Sequence, residues 1–197
     1  TFPGAGRAFA ASFSIGGKGY ISSGESTKNW GNVRHTYYSD TWEFDPTTEL
    51  WVQKAPFGGG LRSRVTNLSI SYKGYIGGGK ILEPSVGYYT GQTTDANDLW
   101  EFDPLKNLWT KVNLPSGYNI TTIAFSIQDK GYIGFTNSNG LLTLYSYGNS
   151  SIFSQAIGLN TSLIRTGMLI TATNNSGFLG LGLKDNFLYN DLYMINP

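Results

Sequence analysis

Short segments rich in aromatic and β-branched residues recur along the chain, and clusters of Gly, Asn, Asp and Pro separate them. The first such segments cover about residues 8–15, 18–23, 41–45 and 50–54. Segments of this length and composition, bounded by turn-forming residues, are typical of β-strands. The pattern therefore predicts four short strands near the start of the chain.

Tight turns are predicted at several of the breaks. Gly16-Gly17 and Gln128-Asp129 fit two-residue hairpin turns between neighbouring strands. Asp45-Pro46 and Asp103-Pro104 fit turns in which the fixed φ of proline is favourable. Turns this short join antiparallel strands, so an antiparallel arrangement is expected.

The strand segments repeat. Lys-Gly-Tyr-Ile occupies 18–21 and returns at 73–76 and 130–133, and a weaker copy, Ser-Gly-Phe-Leu, occupies 176–179. The aromatic residues of the four copies lie 55, 57 and 46 residues apart. Four antiparallel strands at a period of about 50 residues are the signature of a propeller blade. The predicted fold is all-β: one propeller over 1–197, with blades at approximately 1–56, 57–115, 116–158 and 159–197, the last without its outer strand.

Composition narrows the choice of fold in the same direction. Gly contributes 26 residues, aromatic residues make up 15% of the chain and charged residues 14%. So many aromatic residues and so little charge argue against a disordered chain, and so much Gly argues against a helical bundle. Collagen is excluded because Gly follows no three-residue period.

The repeats resemble those of a known family. Besides the Gly-Tyr-Ile segment, Asp-x-Trp-x-Phe-Asp-Pro occupies 40–46 and 98–104, and Leu-Trp follows at 50–51 and 108–109. These features are similar to kelch repeats, in particular the bacterial, galactose-oxidase-central-domain-like ones. The resemblance implies a kelch-type β-propeller of four-stranded antiparallel blades. Such propellers have six or seven blades, so the four repeats here are expected to be a segment of a larger ring, with both ends cut mid-blade.

The connections between the second and third strands are the expected binding surface. They span about 24–39 and 80–97 in the first two repeats and differ in length from repeat to repeat. Variable loops on a rigid scaffold commonly carry binding residues. The alternative is that their aromatic side chains fold back over the blades. The candidate partner-binding residues in these loops are Trp30, Arg34, His35, Tyr37, Tyr38, Tyr88 and Tyr89.

A series of arginines is the second candidate. Arg7, Arg62 and Arg165 each lie 13 residues before the repeated aromatic residue, where the innermost strand of a blade begins. Around a propeller axis they would form a partial basic ring that binds a carboxylate or an acidic loop. The alternative is that each arginine joins one blade to the next by bonding carbonyl groups or an acid.

Enzyme signals are few. The chain has one His and no Cys, which leaves little for a catalytic triad or a metal site. The copper chemistry of galactose oxidase needs residues that are absent, so no metal or cofactor is expected. Glu43 and Glu101 recur in phase, and we expect structural roles for them.

The expected function is therefore a non-catalytic protein-binding or scaffold module. A carbohydrate-binding module is the alternative, and a lyase or sugar epimerase with its site on other blades is the third. The net charge of +1 and the absence of a long apolar run predict neither nucleic-acid binding nor a membrane-spanning segment. The resemblance implies an extracellular, cell-surface or periplasmic location, with any signal or anchor outside this chain.

Overall fold

The computed structural model describes residues 1–29, 33–82, 93–148, 153–159 and 168–196. These residues form strands joined by turns and irregular segments, without a helix among them. The prediction of an all-β chain is confirmed. In the part of the chain that the structure describes, no helix has the length and apolar character needed to cross a membrane.

The chain divides into two compact units, Thr1–Asn113 and Leu114–Pro197. The strands of the first unit, in chain order, are β1 (Ala11–Ile15), β2 (Lys18–Ser22), β3 (Glu25–Asn29), β4 (Val33–Tyr37), β5 (Thr41–Asp45), β6 (Leu50–Lys54), β7 (Arg62–Ser63), β8 (Thr66–Ile70), β9 (Lys73–Gly77), β10 (Lys80–Leu82), β11 (Thr93–Asp95), β12 (Leu99–Asp103) and β13 (Leu108–Val112).

Two antiparallel sheets of the same topology make up most of this unit. The first has the order β1-β2-β5-β6 and the second has the order β8-β9-β12-β13. In each sheet the connection between the second and third strands carries further strands. These are the β3–β4 hairpin in the first sheet and, in the second, the β10–β11 pair, to which β7 adds.

The four strands predicted near the start of the chain are β1, β2, β5 and β6. The prediction is wrong at two boundaries, because the first strand begins at Ala11 rather than at residue 8 and the second ends at Ser22 rather than at residue 23. Phe9 has a φ of 54°, which interrupts the extended backbone. Ala8 instead forms an isolated bridge with Glu25, at the start of the hairpin.

The predicted hairpin turns are confirmed by their backbone angles. Gly16 and Gly17 have φ values of 58° and 80° between β1 and β2, as a two-residue turn with positive φ at both positions requires. Gln128, in the equivalent turn of the third repeat, has a φ of 53°. The connection at 24–39 differs from the expected loop, because most of it is the β3–β4 hairpin. The polar composition of residues 24–39 indicated a loop, although the Thr and Val residues among them favour an extended backbone.

Packing between the two sheets of the first unit depends on a glycine. The ring of Phe13 on β1 lies over Gly74 on β9, so close that a Cβ there would come within 2.2 Å of it. Around this contact lies a core of apolar residues from both sheets, including Tyr20, Ile76 and Phe102.

The in-phase tryptophans pack beside this core. Phe57 meets Trp100 and Trp109 edge to face, and Phe2 meets Trp42 and Trp51 in the same way. In the first unit, the aromatic residue that precedes each four-stranded sheet therefore closes over the pair of tryptophans in that sheet.

The second unit is also built from antiparallel sheets. Its strands are β14 (Tyr118–Ile127), β15 (Lys130–Asn137), β16 (Leu142–Tyr147), β17 (Ser154–Leu159), β18 (Leu169–Ala172), β19 (Gly177–Gly180), β20 (Leu183–Lys184), β21 (Phe187–Leu188) and β22 (Leu192–Ile195). They form a β14-β15-β16-β17 sheet, a β18-β19-β22 sheet and a β20–β21 hairpin. Here Phe125 lies over Gly177, as Phe13 lies over Gly74 in the first unit.

Replacing Gly74 by Ala tests the packing between the first two sheets. The added methyl would collide with the ring of Phe13, and we expect the free energy of unfolding to fall by about 1–3 kcal/mol. Gly19→Ala is the matched control, because Gly19 holds the same repeat position and a methyl group there would meet nothing within 4 Å. That change should stay within about 0.5 kcal/mol in urea unfolding. Equal effects at the two positions would contradict the packing.

Candidate functional site

Arg62 is held inside the first unit by three segments of the chain. Both terminal nitrogens donate to the carboxylate of Asp98, one of them over 3.1 Å from Nη2 to Oδ2. Nη1 also donates to the carbonyl oxygen of Gly78 at 3.2 Å, and Nη2 to that of Gly59 at 2.9 Å. Arg62 is only 1% exposed, so its guanidinium acts on groups of its own chain.

Arg7 makes equivalent contacts in the first sheet. Its terminal nitrogens donate to the carboxylate of Asp40, with 2.8 Å from Nη2 to Oδ2, and Nη1 donates to the carbonyl oxygen of Ser23 at 3.1 Å. The indole nitrogen of Trp42 also donates to Asp40 at 2.7 Å. The equivalent tryptophan of the second sheet donates in the same way, at 3.0 Å, to the aspartate that pairs with Arg62. The sequence left two interpretations open, and the contacts of both arginines are those of the internal one.

The electrostatics of Asp40 agree with a permanent ion pair. Burial by itself would raise the pKa of this carboxyl, but hydrogen bonds from Arg7 and Trp42 and the charge of Arg7 outweigh it. The pKa of Asp40 is therefore lowered, which favours the ionised carboxylate that pairs with Arg7.

A second network also recurs in both sheets. Tyr20 donates its hydroxyl proton to Glu43 over 2.7 Å, and Lys18 donates to the other oxygen of that carboxylate at 2.8 Å. Tyr75 donates to Glu101 over 2.7 Å in the second sheet, where Lys73 takes the place of Lys18. Sequence reasoning expected structural roles for the two glutamates but missed these partners, although Lys-Gly-Tyr and Trp-Glu-Phe recur in phase.

One cluster does not recur. Glu25 begins β3 and is 5% exposed. Ser63 donates to its Oε2 at 2.8 Å, and Arg64 donates from Nη2 to its Oε1 at 3.2 Å. Tyr37, opposite Glu25 in the β3–β4 register, completes what we call the Glu25 cluster: Glu25, Tyr37, Ser63 and Arg64. The second repeat has Lys80 where the first has Glu25, so the cluster is particular to this hairpin.

The Glu25 cluster fastens the hairpin to the neighbouring sheet segment. Burial would raise the pKa of Glu25, but hydrogen bonds from Ser63 and Tyr37 and the charge of Arg64 lower it further than burial raises it. Burial raises the pKa of Tyr37. The carboxylate is thus ionised and the phenol neutral at neutral pH, which is the arrangement in which their hydrogen bond is favourable.

The outer side of this cluster is accessible. The guanidinium of Arg64 lies 3.9 Å from the centre of the Phe9 ring, a cation–π contact. The side chain of Arg64 is 51% exposed and Phe9 is 52% exposed. The guanidinium is therefore restrained by one hydrogen bond and by the ring beneath it, and part of its surface is open to a ligand.

The loop residues predicted to bind a partner have different positions. Tyr37 is buried, which corrects the prediction that it is one of the loop residues available to a partner. Tyr38 is partly buried beneath Arg7, 4.1 Å from its guanidinium, and its hydroxyl is 2.8 Å from that of Ser26. His35 is partly exposed, with Nδ1 3.4 Å from the hydroxyl of Thr27.

The remaining candidates are less fully described. The backbone of Arg34 lies on β4, opposite Lys28. The other predicted residues fall outside the described ranges: Trp30, Tyr88, Tyr89 and Arg165.

The acidic groups described above are committed to internal partners. Asp40 and Asp98 bind buried arginines, and Glu25 and Glu43 bind hydroxyl and cationic groups. Within the described ranges, no three His, Cys, Asp or Glu side chains are grouped as metal ligands.

Comparison with known proteins adds information on the fold. No protein-family model matches the chain, and no curated protein matches it. Among solved structures, one titled "Structure of YjhT" superposes with a TM-score of 0.69 over 98% of this chain and 70% of that chain. The sequences are 16% identical, so the likeness is one of fold.

Glu25→Gln tests the charge at the base of the hairpin. Since the pKa of Glu25 is lowered, its stabilising effect is fully present above the ordinary glutamate pKa and is lost as the pH falls through the folded-state pKa. We expect the variant to lose about 1–3 kcal/mol of unfolding free energy at pH 7. The difference from the wild type should shrink in acid, below a pH of about 4.3. Glu49→Gln, at an exposed turn, is the control. A loss independent of pH would contradict a role for the charge.

Proposed function

We propose that this chain forms part of a kelch-type β-propeller that acts as a non-catalytic protein-binding module. The partner binds at the end of the first sheet at which the β3–β4 hairpin connects β2 and β5. The module works at a cell surface, in the periplasm or outside the cell. The number of blades, six or seven, remains a prediction from the resemblance.

The repeated contacts support the propeller. The two four-stranded sheets of the first unit share their strand order, their Arg–Asp–Trp network and their Lys–Tyr–Glu network. Each unit also has a Phe ring lying over a Gly of its next sheet. A radial array of similar sheets needs a packing contact of this kind that can be used again at each step.

The Glu25 cluster is the single observation that carries the binding role. Contacts that recur in both four-stranded sheets of the first unit build the frame, whereas this cluster occurs once among the described residues and holds the hairpin in place. It leaves the Phe9–Arg64 pair exposed beside the hairpin. An anchored, half-exposed arginine and an aromatic ring are the residue types enriched at the centres of protein interfaces.

Site-specific photo-cross-linking tests the proposal. A photoreactive residue at Thr36, exposed on β4, should cross-link one partner protein in the source cells. Leu105 is the matched control, because it is 94% exposed and lies in the turn at the far end of the third strand. We expect a discrete cross-linked product from position 36 and none from position 105.

Two outcomes would contradict the proposal. The same products from both positions would mean that the hairpin is no preferred surface. No protein product from position 36, together with binding of the wild-type chain on a glycan array, would favour the carbohydrate-binding alternative.

A further inference from the structure

Phe9 and Arg64 occupy the same position in successive repeats. Each lies 11 residues before the repeated tyrosine, which is Tyr20 in the first repeat and Tyr75 in the second. The amide of Arg64 donates to the carbonyl oxygen of Phe9 over 3.1 Å, and its guanidinium lies 3.9 Å from the centre of the Phe9 ring. Backbone and side-chain contacts therefore both join these two equivalent residues.

Both residues have a backbone conformation that large side chains rarely adopt. The φ angle is 54° at Phe9 and 55° at Arg64, in the left-handed region. A residue with a Cβ is strained there, and such residues are concentrated at ligand-binding and switch regions. The third repeat has Thr121 at this position, within β14 and without a positive φ. The strained pair is therefore no requirement of the repeat itself.

The ion pair with Glu25 restricts what Arg64 can offer to a ligand. Nη2 of Arg64 donates to Oε1 of Glu25 at 3.2 Å, and Glu25 is 5% exposed. Ser63 holds the other oxygen of this carboxylate at 2.8 Å. A carboxylate from outside would have to compete with one that is already in place. The charge of Arg64 is thus largely balanced, and the flat surface of its guanidinium is what remains for recognition.

That flat surface is covered on one side. The Phe9 ring lies against it, and no other ring of the described residues lies over Arg64. The Arg64 side chain is 51% exposed and Phe9 is 52% exposed. Guanidinium groups stack on aromatic rings through cation–π attraction and planar contact. A second ring on the open side would complete a stack of ring, guanidinium and ring.

We propose that Arg64 and Phe9 form a stacking site for an aromatic side chain, Trp or Tyr, of the partner protein. The ring from the partner lies on the side of the guanidinium that faces away from Phe9. Because Glu25 and Phe9 already restrain the guanidinium, little side-chain freedom is lost when the partner binds. The proposal rests on the protein-binding function proposed above and names the chemistry of the partner.

Peptide selection tests this inference. A phage library of random peptides is first depleted on Arg64→Lys and then selected on the wild-type chain. Lysine keeps the positive charge beside Glu25 and leaves every other surface unchanged, but it lacks the flat guanidinium. We expect the selected peptides to share Trp or Tyr at one position. Synthetic fluorescein-labelled copies should bind Arg64→Lys about tenfold more weakly than the wild type in fluorescence anisotropy.

Two matched controls separate stacking from a change in the fold. Phe9→Tyr keeps a ring beneath the guanidinium and should leave the affinity for these peptides within about twofold, whereas Phe9→Leu should weaken it. Replacing the shared Trp or Tyr of the peptide by Leu should weaken its binding to the wild type as much as Arg64→Lys does. That second comparison uses the unaltered chain, so the stability of a variant does not affect it.

Other outcomes would overturn the inference. If no peptide survives the depletion, the flat guanidinium binds nothing that a lysine does not bind. Selected peptides that share Asp or Glu but no aromatic residue would mean that Arg64 acts through its charge. A partner cross-linked from position 36 that binds Arg64→Lys as tightly as the wild type would overturn this inference and leave the proposed function standing. The expected peptides without any protein cross-linked from position 36 would support the stacking site and contradict the hairpin as the position of the partner.

Discussion

The guanidinium of Arg62 imposes the constraint on which the first unit depends. A fully buried cation must be paired and hydrogen-bonded, since an unpaired one would cost several kcal/mol. Its partners lie before the innermost strand, at the end of the second strand and at the start of the third, at Gly59, Gly78 and Asp98. These hydrogen bonds therefore fix both ends of the connection between the second and third strands of this sheet, whichever residues form the connection.

This arrangement explains how repeats of one design can carry different surfaces. Arg7 fixes the first sheet through Ser23 and Asp40, and the intervening residues are free to form the β3–β4 hairpin. The hairpin then needs a contact of its own, which Glu25 supplies. Structural stability comes from the repeated ion pairs and aromatic contacts, and the proposed binding surface comes from residues whose contacts occur once in the described part of the chain.

Much of the fold could be predicted from the sequence because strands and tight turns have local signals. The recurrence of Tyr20 and Tyr75 located the second strands, and Gly16-Gly17 located a turn whose backbone angles only Gly adopts easily. The hairpin strands at 24–39 escaped prediction because their residues are polar and make their contacts with the distant Ser63 and Arg64.

The candidate site was harder to predict, since its residues gain their roles from burial. Arg62 and Arg64 are two positions apart in the sequence, yet one is buried in an ion pair and the other is half exposed on a phenylalanine ring. The repeat period correctly identified Arg7 and Arg62 as equivalent residues. It could not distinguish a basic ring open to a ligand from ion pairs within the chain. Tyr37 was predicted to bind a partner, but it is buried and lies opposite Glu25 in the hairpin register.

The most direct test of this account is the unfolding free energy of Arg62 and Asp98 variants in a double-mutant cycle. Asp98→Ala alone should cost about 3–5 kcal/mol, because it leaves a buried arginine unpaired. Adding Arg62→Met should recover most of that loss, since Met fills the space without a charge. A cost below about 1 kcal/mol for Asp98→Ala, as for an exposed ion pair, would contradict the claim that this pair holds the frame together.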